Sequence, residues 1–268
     1  LSKFRIIEPV GDFAAVTGSE IGIGALVVAN VLTQDPRKVY RVADASALEI
    51  ELDLGATPPD ADTVGLIGAT FSGSGTWEWR EAATQGGLSS PTAIISGIVG
   101  RQADRDNPRG EWYNSRAELP GSTRQRWQRI TISDAAAGTW QVGRLILGLG
   151  LQFSREYQGG WDEDLISLDA LATRAGVGAA TVAGAAYREV SVSMTSVPPE
   201  EWRAYVDLLN RRGETGDVWA FRDFTDDDTI TEGSIYGLLT GVIGRGAGPR
   251  QRVTRKYQQK ITVAELRP

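Results

Sequence analysis

Residues 126–153 read RWQRITISDAAAGTWQVGRLILGLGLQF, and their periodicity decides the fold class. Ile130 and Ile132 alternate with Arg129, Thr131 and Ser133, while Leu145, Leu147, Leu149, Leu151 and Phe153 recur at every second position. That is the period of a strand, whose successive side chains point to opposite faces. Asp134-Ala-Ala-Ala-Gly138 lies between the arms as a short reversal, so the stretch reads as an antiparallel pair with one face on a core. Gly148 and Gly150 fall on the opposite face, where a missing side chain lets another layer or backbone approach closely.

The same period recurs upstream. Leu48, Ile50, Leu52 and Leu54 alternate with Glu49, Glu51 and Asp53, giving a strand with one wet face that ends at Gly55 and Pro58-Pro59. DTVGLIGATFSGSGTWEWREA (62–82) supplies two further strands, with Trp77 and Trp79 on one face and Glu78 and Arg80 on the other. With 32 glycines and 11 prolines among 268 residues, the chain is turn-rich and mainly β. Its length and 41% hydrophobic content suit two domains, 1–155 and 156–268.

Composition narrows the chemistry. The chain has no Cys and no His, which removes disulfides, thiol nucleophiles, zinc sites of the Cys/His kind and every imidazole-dependent base. Lys and Arg number 28 against 34 Asp and Glu, a net charge of −6 that argues against dedicated nucleic-acid binding. No long apolar run or charged leader is read, so the expectation is a soluble chain without membrane span or signal peptide. GSEIGIGA (18–25) lacks the glycine spacing of a dinucleotide loop, and no cofactor or metal is expected. The acidic run Asp226-Asp227-Asp228 lacks the spacing of a calcium loop and reads as a solvated turn.

The order of Asp35-Pro36-Arg37 and Tyr40-Arg41, IELDLG, DTVGLIGATF, TWEWREA and the closing RWQRITISD…QVGRLILG resembles the discoidin-like, or galactose-binding-like, jelly-roll domain over about the first 155 residues. The resemblance implies a β-sandwich whose ligands, often glycans, bind in loops at one end. Residues 100–125 form a polar insert without periodicity, and long loops of this kind commonly carry function. Arg109, Trp112 and Tyr113 within it are the candidate contacts to a glycan or a partner protein.

ATRAGVGAATVAGAA (172–186) is rich in small residues and reads as a loop, extended arm or linker. Beyond it, Pro199, Glu200 and Glu201 open a helix over 199–212, Trp202, Tyr205, Val206 and Leu209 form its apolar stripe, and Gly213 ends it. Strands REVSVSMT, DVWAFRD, SIYGLLTGVI and YQQKITVAEL flank it. One helix on antiparallel strands ending in KITVAEL is similar to the tail-tube-like β-sandwich of tailed-bacteriophage tail proteins. The two halves together resemble phage tail-tip, or baseplate, subunits.

That resemblance implies a virion structural protein assembled in the bacterial cytoplasm. Its expected partners are copies of itself in a homo-oligomeric ring, the tail tube, hub and baseplate proteins, and a host-surface glycan. Residues 156–235 carry 16 acidic and 6 basic residues and 244–268 carry 7 basic and 1 acidic, a complementarity that suits such assembly. The alternative is a carbohydrate-binding module, and a further one a glycoside hydrolase using two of Glu78, Glu81 and Glu111. The leading expectation is that the chain is not an enzyme.

Overall fold

The stretch 126–153 makes three strands, Trp127–Ser133, Thr139–Val142 and Arg144–Gln152, and its two long arms do not pair as a hairpin. A computed structural model describes residues 4–10, 15–18, 28–36, 38–43, 47–70, 75–99, 113–133, 139–154, 161–166, 170–174, 177–182, 187–213, 216–226, 230, 233–240 and 257–266. In it Trp127–Ser133 pairs with Ala47–Asp53 and Thr76–Ala82, whereas Arg144–Gln152 lies between Arg5–Pro9 and Thr63–Ala69 in another sheet. The arms cross from one sheet to the other, and the intervening 134–138 lies outside the described residues. Two strands with matching apolar faces can lie side by side or face each other across a core. Here Ile130 and Ile132 share one core with Leu145 and Leu147.

The strands in chain order are β1 (Arg5–Pro9), β2 (Ala15–Gly18), β3 (Tyr40–Ala43), β4 (Ala47–Asp53), β5 (Thr63–Ala69), β6 (Thr76–Ala82), β7 (Ala93–Ser96), β8 (Ile98–Val99), β9 (Tyr113–Glu118), β10 (Trp127–Ser133), β11 (Thr139–Val142) and β12 (Arg144–Gln152). They are followed by β13 (Trp161–Ile166), β14 (Ala170–Arg174), β15 (Val177–Val182), β16 (Tyr187–Val197), helix α1 (Pro199–Arg212), β17 (Asp217–Phe221), β18 (Ser234–Leu239) and β19 (Tyr257–Glu265). The architecture is mainly β and antiparallel. Two compact units result: Lys3–Gln152 with Trp219–Ser234, and Phe153–Val218 with Ile235–Arg267.

In the first unit the sheet β2-β4-β10-β6-β7 faces the strands β1-β12-β5-β9-β8. Leu48, Ile50 and Leu52, Trp77 and Trp79, Ile130 and Ile132 meet Val64, Leu66, Leu145 and Leu147 in the core. The two indoles are satisfied there: Trp79 Nε1 donates to Gln128 Oε1 at 2.9 Å and Trp77 Nε1 to Ser115 Oγ. Leu149 and Leu151 leave the core, because β12 outruns β5 at the Gly148–Thr63 pair and continues only against β1. Gly148 and Gly150 serve the close approach expected of them, the first against Ile7 and the Glu8 backbone, the second against the Arg5 guanidinium.

The back of β5 is covered as well, so every residue of that strand is buried. The cover is Trp219–Ser234, which pairs Trp219, Ala220 and Phe221 with Ile7, Ile6 and Arg5 and sets the Trp219 ring against Gly65. Phe224 sits between two guanidiniums, with Arg5 at 4.1 Å and Arg116 at 4.2 Å from its ring centroid. Arg5 also bonds Asp62 at 2.8 Å and Glu118 at 3.1 Å. Part of the polar insert is therefore structural: 113–118 is a strand between β5 and β8, because only a paired backbone can be buried there.

In the second unit the order is β13-β16-β19-β18. Val190, Val192 and Met194 of β16 and Ile261 and Val263 of β19 are buried on one face, and Tyr205, Leu208 and Leu209 are the buried residues of α1. Helix α1 occupies the expected span, with Glu200 and Glu201 in its first turn, Arg211 and Arg212 in its last, and Gly213 at φ 63° closing it. The small-residue stretch departs from expectation. Its backbone forms the antiparallel hairpin β14–β15, since small side chains do not oppose ladder hydrogen bonds.

Candidate functional site

The outer face of the β2-β4-β10-β6-β7 sheet is built by the alternation that fills the core: when Gln128, Ile130 and Ile132 point inward, Trp127, Arg129 and Thr131 must point outward. Antiparallel register then lays residues in rungs across the strands. One rung is Thr17, Glu51, Arg129, Arg80 and Ile94; the next, toward the start of β10, sets Asp53 beside Trp127. On the other side Glu49, Thr131, Glu78 and Ser96 follow one another.

The charged groups on this face are fixed by one another. Arg126 holds Asp53 in a two-point pair, Nε to Oδ1 and Nη2 to Oδ2, each at 2.7 Å. Arg129 Nε donates to Glu51 Oε1 at 2.9 Å, Gln85 Nε2 donates to Glu51 Oε2 at 3.0 Å, and Arg80 pairs with Glu78. The Arg126 guanidinium also stands 5.3 Å over the Trp127 ring. Planar groups clamped in this way offer hydrogen-bonding edges without losing rotamer freedom on binding. Ile94, 53% exposed, ends the rung with an apolar patch.

Titration follows from the same contacts. The Arg126 hydrogen bonds hold Asp53 down to about 2 from an ordinary 3.8, against desolvation and with help from the Gly55 N–H. Desolvation pushes Glu51 upward, but hydrogen bonds from Gln85 and Arg129 outweigh it and the net shift is downward. A lowered folded-state value means that the Asp53 contribution is fully present above about 3.8 and fades as pH falls through about 2. Asp53→Asn is therefore expected to be less stable than the parent at pH 7, with the difference shrinking between pH 4 and pH 2 in urea melts.

No protein-family model and no curated protein matches the chain. Among solved structures, it is similar to the CBM32 of AlyQ in complex with 4,5-unsaturated mannuronic acid, at 13% identity and a TM-score of 0.35, covering 51% of this chain and 95% of that one. It is also similar to chitosan-binding module 1 derived from a chitosanase/glucanase of Paenibacillus sp. IK-5, at 11% identity and a TM-score of 0.37, covering 52% and 97%. A third, CpGH89CBM32-6 produced by Clostridium perfringens, gives 8% identity and a TM-score of 0.35 over 52% and 98%. These are likenesses of strand layout over about half of the chain.

Of the residues singled out in the sequence, Glu78 alone stands on this face among the described ones. Arg109 and Trp112 are outside the described residues, as is Glu111; Tyr113 opens β9 opposite Ala69, and only its backbone is described. Glu78 and Glu81 project from opposite faces of β6, Glu78 outward beside Arg80 and Glu81 inward, where its Oε2 accepts from the Gln125 N–H at 3.0 Å and lies 3.6 Å from Arg124. They do not converge on a common substrate position. Asp227 and Asp228 are outside the described residues, and among those described no group of three His, Cys, Asp or Glu could hold a metal ion. No helix among the described residues is long and apolar enough to cross a membrane.

Sequence reasoning missed Trp127, Arg126 and Asp53 as one cluster. The signal was present as an acidic alternation in 49–53 and two arginines at 126 and 129, but joining them needed the β4–β10 register.

Proposed function

We propose that the chain is a non-catalytic carbohydrate-binding protein whose sandwich unit takes a saccharide on the outer face of β4, β10 and β6. The observation that carries this reading is Trp127, half-buried on the outer face beside the Arg126–Asp53 pair and next to the Glu51–Arg129 rung. A pyranose ring has an apolar C–H face and a rim of hydroxyls; an indole accepts the first through its electron-rich face, and clamped carboxylates and guanidiniums bond the second. Turnover is disfavoured by the same clamping, because carboxylates held ionised against guanidiniums make poor general acids.

The test is a glycan array followed by calorimetry on variants. Trp127→Ala is expected to weaken binding at least about tenfold, the scale of one lost aromatic anchor. Binding untouched by Trp127→Ala but lost in Trp112→Ala or Tyr113→Ala would move the site to the loops; silence across the array would remove the reading.

A second reading, a structural part of a phage tail tip, is favoured by one feature of the other unit. Strand β13 ends its sheet, pairing with β16 on one side and with no strand on the other among the described residues, and Asp162, Glu163 and Asp164 are exposed on it. Open sheet edges are where copies or partners add strands. Light scattering at rising concentration tests this: closed oligomers support it, and a monomer that binds no tail protein ends it.

A further inference from the structure

Resting on the saccharide reading above, we propose that Arg124 is a positioning residue for the outer sheet face: together with Glu81 it fixes the turn 120–125 from the core side, and through that turn it aims Arg126 at Asp53 beside Trp127.

Gly121, Ser122 and Thr123 are exposed, and the chain then turns inward at Arg124, whose side chain is 0% exposed. Its Nη2 donates to Pro120 O and to Gly121 O, each at 2.8 Å, and its Nε to Ser122 O at 3.3 Å. One rigid fork therefore gathers three successive carbonyls of the turn, which a lysine ammonium on its flexible stem does not reproduce. The Ala61 N–H adds a bond to Ser122 O at 2.8 Å. On the core side the guanidinium stands 3.6 Å from Glu81 Oε2 and 5.5 Å over the Trp79 ring. Carbonyls, carboxylate and indole together offset the desolvation of the buried cation.

Glu81 passes the constraint along the chain. The same Oε2 accepts from the Gln125 N–H at 3.0 Å, and the Leu54 N–H donates to Arg126 O at 2.9 Å, so residues 125 and 126 are held from both sides before β10 begins. Strand register places Trp127 between Asp53 and Ala82, but Arg126 precedes the strand. Its side chain is 46% exposed, and an exposed side chain of that length keeps a two-point pair with Asp53 only when its backbone is aimed there. Arg124 is buried and acts on a ligand through Arg126 alone.

The experiment uses the full chain carrying Arg124→Met or Arg124→Lys, with Gly65→Ala as a control that costs stability on the back of β5. On protein shown by circular dichroism to be folded, calorimetry measures affinity for hexasaccharides of glucose, N-acetylglucosamine and galactose, and carboxyl-carbon NMR follows Asp53 from about pH 6 to about pH 3. The parent and Gly65→Ala are expected to keep Asp53 ionised across that range, as its value of about 2 requires. Arg124→Met is expected to let Asp53 titrate toward its ordinary 3.8 and to weaken binding about tenfold, with Arg124→Lys moving both in the same direction by less. Should Arg124→Met fail to fold, Arg124→Lys carries the test.

An Asp53 that stays ionised in the folded Arg124 variants overturns the inference, as does an affinity loss matched by Gly65→Ala or no loss at all. If the parent binds none of the hexasaccharides and is silent on a broad array, the saccharide reading fails, and the Asp53 titration still decides whether Arg124 positions Arg126.

Discussion

A chain carrying Arg188→Met is expected to lose about 3–5 kcal/mol of stability, the cost of leaving a buried charge without its partner. Arg188 Nε donates to Glu265 Oε1 at 2.9 Å and both side chains are almost fully buried, 4% and 3% exposed. The pair forms because β16 and β19 run antiparallel with Glu189 opposite Ala264, so the next position along sets Arg188 against Glu265 on the face shared by Val190 and Val263. In the variant, Glu265 Oε2 keeps the backbone N–H of position 188 while Oε1 loses the guanidinium that donates to it. Replacing both residues, Arg188→Met with Glu265→Leu, is expected to recover most of the loss, since two well-packed apolar groups need no desolvation of charge. Urea denaturation of parent, single and double variants measures it; a single variant within about 1 kcal/mol of the parent would mean that the pair contributes little.

The second large effect concerns the cover on the back of β5. Trp219→Ala removes a fully buried indole whose Nε1 donates to Ser234 Oγ at 3.0 Å and whose ring packs 4.4 Å from that of Phe221. The expected cost is about 3–5 kcal/mol, lowering the melting temperature by roughly 10 °C in a chain of this size. Gly65 gives the sharper test. A β-carbon there overlaps the Trp219 ring, so Gly65→Ala alone should cost about 1–3 kcal/mol; in the Trp219→Ala background the same methyl enters vacated space and should cost much less. Additive losses in the double variant would show that the two positions do not meet.

Much of this architecture is legible in the alternation. Leu48-Ile50-Leu52, Trp77-Trp79 and Ile130-Ile132 each announce a strand and its buried face, and Pro199 to Gly213 carries a start, a stripe and a stop for α1. Pairing is less legible, because alternation fixes which way a side chain points but not which strand lies alongside. That is why 126–153 suggests a hairpin and yields strands in opposite sheets. Small residues mislead differently: 172–186 has nothing to bury, yet most of it pairs as β14–β15 through its backbone. The candidate site is half legible. The outward side chains of β4 and β10 follow from their period, whereas the junction of Trp127, Arg126 and Asp53 depends on a contact across 73 positions of chain.

The excursion of Trp219–Ser234 into the unit built from Lys3–Gln152 sets an order of events during translation. When residue 152 leaves the ribosome, the strands around β5 can assemble on one side only, and Arg5, Arg116 and Gly65 still await Phe224 and Trp219. The nascent sandwich therefore stays unfinished until some eighty more residues, helix α1 among them, have been synthesised. Cutting the gene after residue 155 would isolate that unfinished intermediate rather than a self-sufficient module.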